Sequence, residues 1–137
     1  MAVGLMIETG LRVGEALAFR WKDINLSQKR LRVRSTVVRL ANKKRSYVQD
    51  CAKSESSNRT IPLTPKAISL LQMLKSNTEN EWVFVGDDGQ RLSYEALRYQ
   101  TQRLCMAADV PYRGEHVFRD TFATNCYHKG VDVKILS

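Results

Sequence analysis

The sequence predicts an α+β domain, mainly helical with a small three-stranded antiparallel sheet. Three observations predict it. Apolar residues recur at helical spacing over the first twenty positions and again in three later segments. Between Lys29 and Leu63 the period shortens to two, with β-branched residues and polar breaks. At 137 residues and 43% hydrophobic content, the chain has the length of one domain and enough apolar side chains for a core.

Taken in order, Val3, Ile7 and Leu11 fall four apart, Ala18 follows Leu11 by seven, and Trp21 lies four after Leu17 and three after Ala18, which predicts a helix over the first twenty residues that Gly10 and Gly14 weaken. No capping residue precedes this pattern, so the chain is expected to begin inside an element. From Lys29 a strand with one basic face is expected, because Arg30, Arg32 and Arg34 alternate with Leu31 and Val33, and Thr36, Val37 and Val38 follow. Asn42 to Arg45 reads as a turn, and Ser46 to Cys51 and Arg59 to Leu63 as two further strands joined by the polar loop Ser54 to Asn58. Thr64 and Pro65 open a helix whose apolar stripe is Ile68, Leu71 and Leu74. Trp82 to Val85 is a short apolar stretch closed by Gly86-Asp87-Asp88-Gly89. Ser93 caps a helix expected to turn Leu97, Leu104 and Ala108 inward. After Pro111 and Gly114, a last helix runs from about Glu115 to Lys129, with Phe118, Phe122 and Cys126 on one side and Gly130 as its left-handed stop. The tail Val131 to Ser137 reads as an apolar pattern cut off as it begins.

Charge narrows the partner. Lys and Arg number 22 against 14 Asp and Glu, and residues 1 to 63 hold 13 of the basic and 5 of the acidic groups. Eight basic residues and no acid lie between Lys29 and Arg45, the footprint of a partner as densely anionic as a phosphate backbone. Cys51, Cys105 and Cys126 are odd in number and widely spaced, which argues against a disulfide framework and for a reducing, cytoplasmic setting. Together with His116 and His128 they form no zinc-ligand pattern, and no glycine-rich nucleotide loop occurs; neither metal nor cofactor is expected. The apolar opening Met1 to Ile7 is too short to span a membrane and has no basic leader.

Three blocks could carry chemistry. In Thr9-Gly10-Leu11-Arg12-Val13-Gly14-Glu15, Arg12 and Glu15 are three apart, so on a helix the carboxylate can orient the guanidinium. Alone, such a pair is ordinarily a solvated ion pair worth under about 1 kcal/mol. The second block places Lys53 on the loop before Ser57, Arg59 and Ile61-Pro62-Leu63, where a lysine is either a solubilising charge or a mobile proton donor. In the third, His116 and Arg119 stand three apart at the start of Val117-Phe118-Arg119-Asp120-Thr121-Phe122-Ala123-Thr124, aiming an imidazole and a guanidinium at one point.

In this order, the blocks resemble the tyrosine recombinases, the family of phage and conjugative-transposon integrases that shares chemistry with type IB topoisomerases. The resemblance runs from about Val3 to Ser137. The family's Thr-Gly-Leu-Arg-x-x-Glu helix and following aliphatic-Trp-x-Asp stretch are matched by Arg12, Glu15, Trp21 and Asp23, its hairpin lysine by Lys53, and its His-x-x-Arg helix by His116, Arg119 and Thr121 to Thr124. The resemblance implies a helical catalytic domain of the integrase type that cleaves and rejoins double-stranded DNA without a metal, through a 3′-phosphotyrosyl intermediate, in site-specific recombination or integration. It implies Arg12 and Arg119 as the phosphate clamp, supported by Glu15, with Lys53 protonating the departing 5′ oxygen and His116 handling the nucleophile's proton or holding the phosphate. Arg30, Arg32, Arg34, Lys43 and Lys44 are expected to face DNA.

The family's attacking tyrosine lies well beyond the His-x-x-Arg helix, and no tyrosine here stands at a matching position; Tyr127 is read as packing. Asp120 stands where the family often has a second histidine. The expectation is thus a partial catalytic domain, without the N-terminal DNA-clamping domain or the nucleophile segment. It should bind DNA without cutting it and be monomeric, whereas the full-length form assembles as a tetramer on two DNA sites. The source expected is bacterial or phage-encoded. Other readings are a non-catalytic basic nucleic-acid-binding module and a type IB topoisomerase-like fragment.

Overall fold

Gly10 divides the first predicted helix into two. In the computed structural model, which describes residues 1–41, 45–50, 58–76 and 78–130, α1 spans Ala2–Thr9 and α2 spans Val13–Leu17. Gly10 between them takes φ 70, ψ 17, a left-handed conformation that glycine adopts without a Cβ penalty, and its N–H closes α1 on the Met6 carbonyl. A side chain there would also collide with the ring of Phe122. The break is therefore enforced by local backbone and tertiary packing together. It also moves Arg12 from a helix interior to the residue that caps α2.

The predicted basic strand likewise divides, at Arg34. After a short 3₁₀ turn at Trp21–Asp23 come β1 (Ile24–Asn25), β2 (Arg30–Val33), β3 (Ser35–Arg39), β4 (Ser46–Asp50) and β5 (Arg59–Pro62). β2 lies between β1 and β5 in a three-stranded antiparallel sheet, while β3 and β4 form a separate antiparallel pair. The sheet thus has the predicted size and sense but a different membership. The period-two pattern continues through Arg34, yet β2 and β3 pair with different strands. In β2 the alternation follows burial: Leu31 and Val33 are buried, and Arg30 and Arg32 face solvent.

The later helices follow their capping residues. α3 (Pro65–Lys75) starts where the Thr64 hydroxyl accepts the Ala67 N–H, and α4 (Tyr94–Ala107) where the Ser93 hydroxyl accepts the Ala96 N–H. α5 (His116–His128) packs on α1, with Phe118 against the core and Phe122 over Gly10. The core is built from Leu5, Met6, Leu11, Leu17, Leu31, Val33, Leu71, Val83 and Leu97, all buried. Gly14 lets α2 lie against β3, since a Cβ would run into the Thr36 hydroxyl and the Val37 carbonyl.

One inward-facing expectation is overturned. Leu97 and Thr101 of α4 are buried, but Leu104 is 54% exposed and Ala108 is exposed as well. The apolar face of α4 continues in sequence after the core it packs on has ended. Tyr127, read as packing, is 66% exposed and stands edge-on to His128. Among the described residues, no helix is long and apolar enough to cross a membrane. The predicted turn at Asn42 to Arg45, the loop Ser54 to Asn58 and the tail Val131 to Ser137 fall wholly or mostly outside the described residues.

Candidate functional site

Glu15 is the centre of the site. It occupies the third position of α2, and its Oε2 accepts the N–H of Arg12 at 2.9 Å, satisfying one of the free amides at the helix start. The expected contact with the Arg12 guanidinium is replaced by this backbone contact. The guanidinium that Glu15 does hold belongs to Arg59, the first residue of β5: Nη1 donates to Oε1 and Nη2 to Oε2, each at 2.9 Å. Such a two-pronged pair has the geometry of strong charge-assisted hydrogen bonding.

Register explains why Arg59 can reach. It pairs with Val33 across the sheet, and directly opposed residues project to the same face. Val33 is buried, so Arg59 points to the inner side, towards α2. Glu15 itself is only 4% exposed. Burial by itself would raise its carboxyl; the Arg59 hydrogen bonds, the Arg12 N–H and the charges of both arginines more than reverse this, and the group is held below its ordinary value.

Arg119 enters from α5, one turn after His116. Its Nη1 donates to the Gly10 carbonyl at 3.2 Å, at the break that precedes Arg12. Burial, and then the positive charges of Arg12 and Arg59, pull Arg119 below its ordinary value, against weaker support from Glu15 and Asp120. The charges of Arg12 and Arg59 thus act both on Arg119 and on the buried Glu15 carboxylate. His116 is exposed at the first position of α5, preceded by Glu115, whose carboxylate accepts the Tyr112 hydroxyl. Lys43, Lys44 and Lys53 lie outside the described residues.

The outer sheet face is a separate basic surface. Arg32 pairs with Thr60, on the side opposite Arg59, and its Nε donates to Asn58 Oδ1 at 3.1 Å. Arg34 forms an ion pair of 3.4 Å with the buried Asp23. These two arginines join Arg20, Lys22, Asp23 and Asp50 in lining a groove of about 360 Å³. Arg30 is exposed on the same face of β2 as Arg32.

Arg59 is the residue that sequence reasoning passed over as a site member. A signal was present. Glu15 sits inside the apolar run Val13 to Phe19, where a carboxylate needs a cationic partner, and Arg12 precedes the helix. Which arginine supplies that partner depends on strand pairing.

A model of the phage integrase family matches residues 1–137. The chain is 29% identical over 154 residues to a tyrosine recombinase XerC-like protein of Caldanaerobacter subterraneus subsp. tengcongensis, covering 97% of this chain and 39% of that one. It is 27% identical over 131 residues to the tyrosine recombinase XerC of Oceanobacillus iheyensis, covering 95% and 40%. The chain therefore spans about two-fifths of the length of these relatives. Its fold is similar to that of the Tn1549 transposon integrase in complex with circular intermediate DNA (TM-score 0.85, 20% identity, covering 98% of this chain and 48% of that one). It is also similar to the XerH site-specific recombinase bound to its difH substrate (TM-score 0.68, 23% identity, covering 98% and 37%).

Proposed function

Since the chain belongs to the phage integrase family of tyrosine recombinases, we propose that it carries the phosphate-binding part of a DNA strand-cleaving and rejoining site. In this reading, Arg12 and Arg119 bind the non-bridging oxygens of one DNA phosphodiester and meet the charge that grows on them as phosphorus becomes five-coordinate. A tyrosyl oxygen attacks phosphorus, the bond to the 5′ oxygen breaks, and Lys53 donates the proton that oxygen takes up. His116 receives the tyrosine's proton or holds the phosphate. The phosphotyrosyl bond keeps the energy of the broken linkage, so the reverse attack by a 5′ hydroxyl rejoins DNA.

One observation carries this reading: Arg119, from α5, donates to the Gly10 carbonyl two residues before Arg12, so arginines remote in sequence meet at the α1–α2 break. A merely basic binding module has no need to bring them together. The exposed arginines of the outer sheet face, Arg30, Arg32 and Arg34, supply further contacts to the DNA backbone, and Lys43 and Lys44 are assigned there by the charge run alone. Cleavage is proposed only where an attacking tyrosine is supplied beside Arg12 and Arg119. The tyrosines of this chain offer no nucleophile: Tyr94 donates to the Val37 carbonyl and Tyr112 to Glu115, while Tyr47, Tyr99 and Tyr127 are exposed at unrelated positions. By itself the chain is a monomeric DNA binder.

Fluorescence anisotropy of a labelled DNA duplex, repeated across salt concentrations, tests the phosphate site. The Arg119→Ala variant should bind more weakly, with a log-log salt slope smaller by about 0.9 for one lost phosphate contact. An unchanged affinity and slope in both Arg119→Ala and Arg12→Ala removes the phosphate site from the molecule.

A further inference from the structure

Resting on the reading above, we infer that Arg59 is a third phosphate-contacting guanidinium, held in place by Glu15 and presented to the same DNA phosphodiester as Arg12 and Arg119.

The contact geometry supports this first. The fork onto Glu15 engages one N–H from each Nη of Arg59. The Nε–H and the outer Nη–H groups point away from the carboxylate. The Arg59 side chain is 27% exposed while that of Glu15 is 5% exposed, so the arginine is the member of the pair that reaches solvent.

Charge supports it independently. Arg12, Arg59 and Arg119 face one carboxylate, and the exposed Asp120 adds a weak second charge at the rim. Arg119 still feels Arg59 as a positive charge despite the Glu15 fork. Holding like charges together raises the free energy of the empty site. A bound phosphodiester, carrying one negative charge shared by two oxygens, relieves that repulsion and can accept from forked donors.

The position of Arg59 gives the pair its mechanical meaning. Glu15 simultaneously accepts the Arg12 N–H and the Arg59 fork. One carboxylate therefore sets the spacing between the backbone that carries Arg12 and the strand that starts at Arg59. Lys53 lies six positions before Arg59 in the chain.

The test is an NMR titration of the ¹⁵N-arginine-labelled chain with a short random-sequence DNA duplex, following the guanidinium Nε–Hε signals. The signals of Arg12, Arg59 and Arg119 should move together with one apparent Kd. R59K, which keeps a charge but not the fork, should weaken duplex binding about tenfold or more, on the scale of one lost charge-assisted hydrogen bond. If Arg12 and Arg119 shift while Arg59 stays still, Arg59 only supports Glu15 and this inference fails, leaving the proposed function intact. If the duplex binds and none of the three moves, the phosphate site itself is wrong and both fall. Should R59K lose its fold, the wild-type titration decides alone.

Discussion

Glu15 and Arg59, 44 positions apart in the chain, meet through two hydrogen bonds of 2.9 Å and join the start of α2 to the start of β5. The pair is a structural tie as well as part of the site. Removing Arg59 leaves the buried Glu15 without its forked counter-charge, and breaking such a pair typically costs about 3–5 kcal/mol. Arg59→Ala should therefore lower the thermal midpoint far more than Arg32→Ala, whose exposed guanidinium donates to the exposed Asn58. Differential scanning calorimetry on the two variants checks the order.

Acid should weaken the same tie. Because the Glu15 carboxyl is held below its ordinary value in the folded chain, it contributes stability that is full above the unfolded carboxylate range, roughly pH 4–5. That contribution is lost as pH falls through the folded value. Glu15→Gln should be less stable than wild type at neutral pH and approach it in acid. Parallel pH–melting curves that keep a constant separation down to acid would contradict the assignment.

Packing at the helix break predicts a specific double-mutant result. Gly10→Ala imposes a left-handed alanine, costing about 1–2 kcal/mol, and drives its Cβ into the Phe122 ring. Combining it with Phe122→Ala should remove the collision, so the two losses in stability should add to more than the double mutant shows. Strict additivity in denaturant melts would mean that α5 does not rest on Gly10.

The two basic surfaces should separate by their effect on stability. Arg30→Ala and Arg32→Ala should each reduce the salt slope of DNA binding by close to one contact and leave the melting temperature nearly unchanged, since both side chains are exposed. Arg34→Ala should also cost stability, because Asp23 is buried and Arg34 is its ion-pair partner. Anisotropy titrations paired with melts on the same samples read both quantities.

Strand cleavage gives the last prediction. Incubated with a nicked suicide duplex, this chain should form no covalent DNA adduct on a denaturing gel. An adduct lost on Tyr127→Phe would assign the nucleophile to α5 after all.

Much of this was legible from local chemistry. Thr64 and Ser93 mark helix starts because their hydroxyls satisfy amides three residues on, and Leu31 and Val33 mark the inner face of β2 because side chains alternate along a strand. Arg12, Glu15, His116 and Arg119 were visible as candidates from their spacing and from the family they resemble. Leu104 and Ala108 were misplaced for a physical reason: periodicity names a face, not the point at which its packing partner ends.

Local spacing and composition fix most of the element types, the basic half of the chain and the family to which it belongs. Tertiary structure decided which charge answers which. Glu15 could have served Arg12 through one helical turn, but the left-handed bend at Gly10 turned Arg12 into a cap and directed its N–H, rather than its side chain, to the carboxylate. The Val33–Arg59 register then brought the partner from a distant strand. Pairing across a sheet is a long-range choice, settled by how the whole core packs, and short-range spacing cannot specify it.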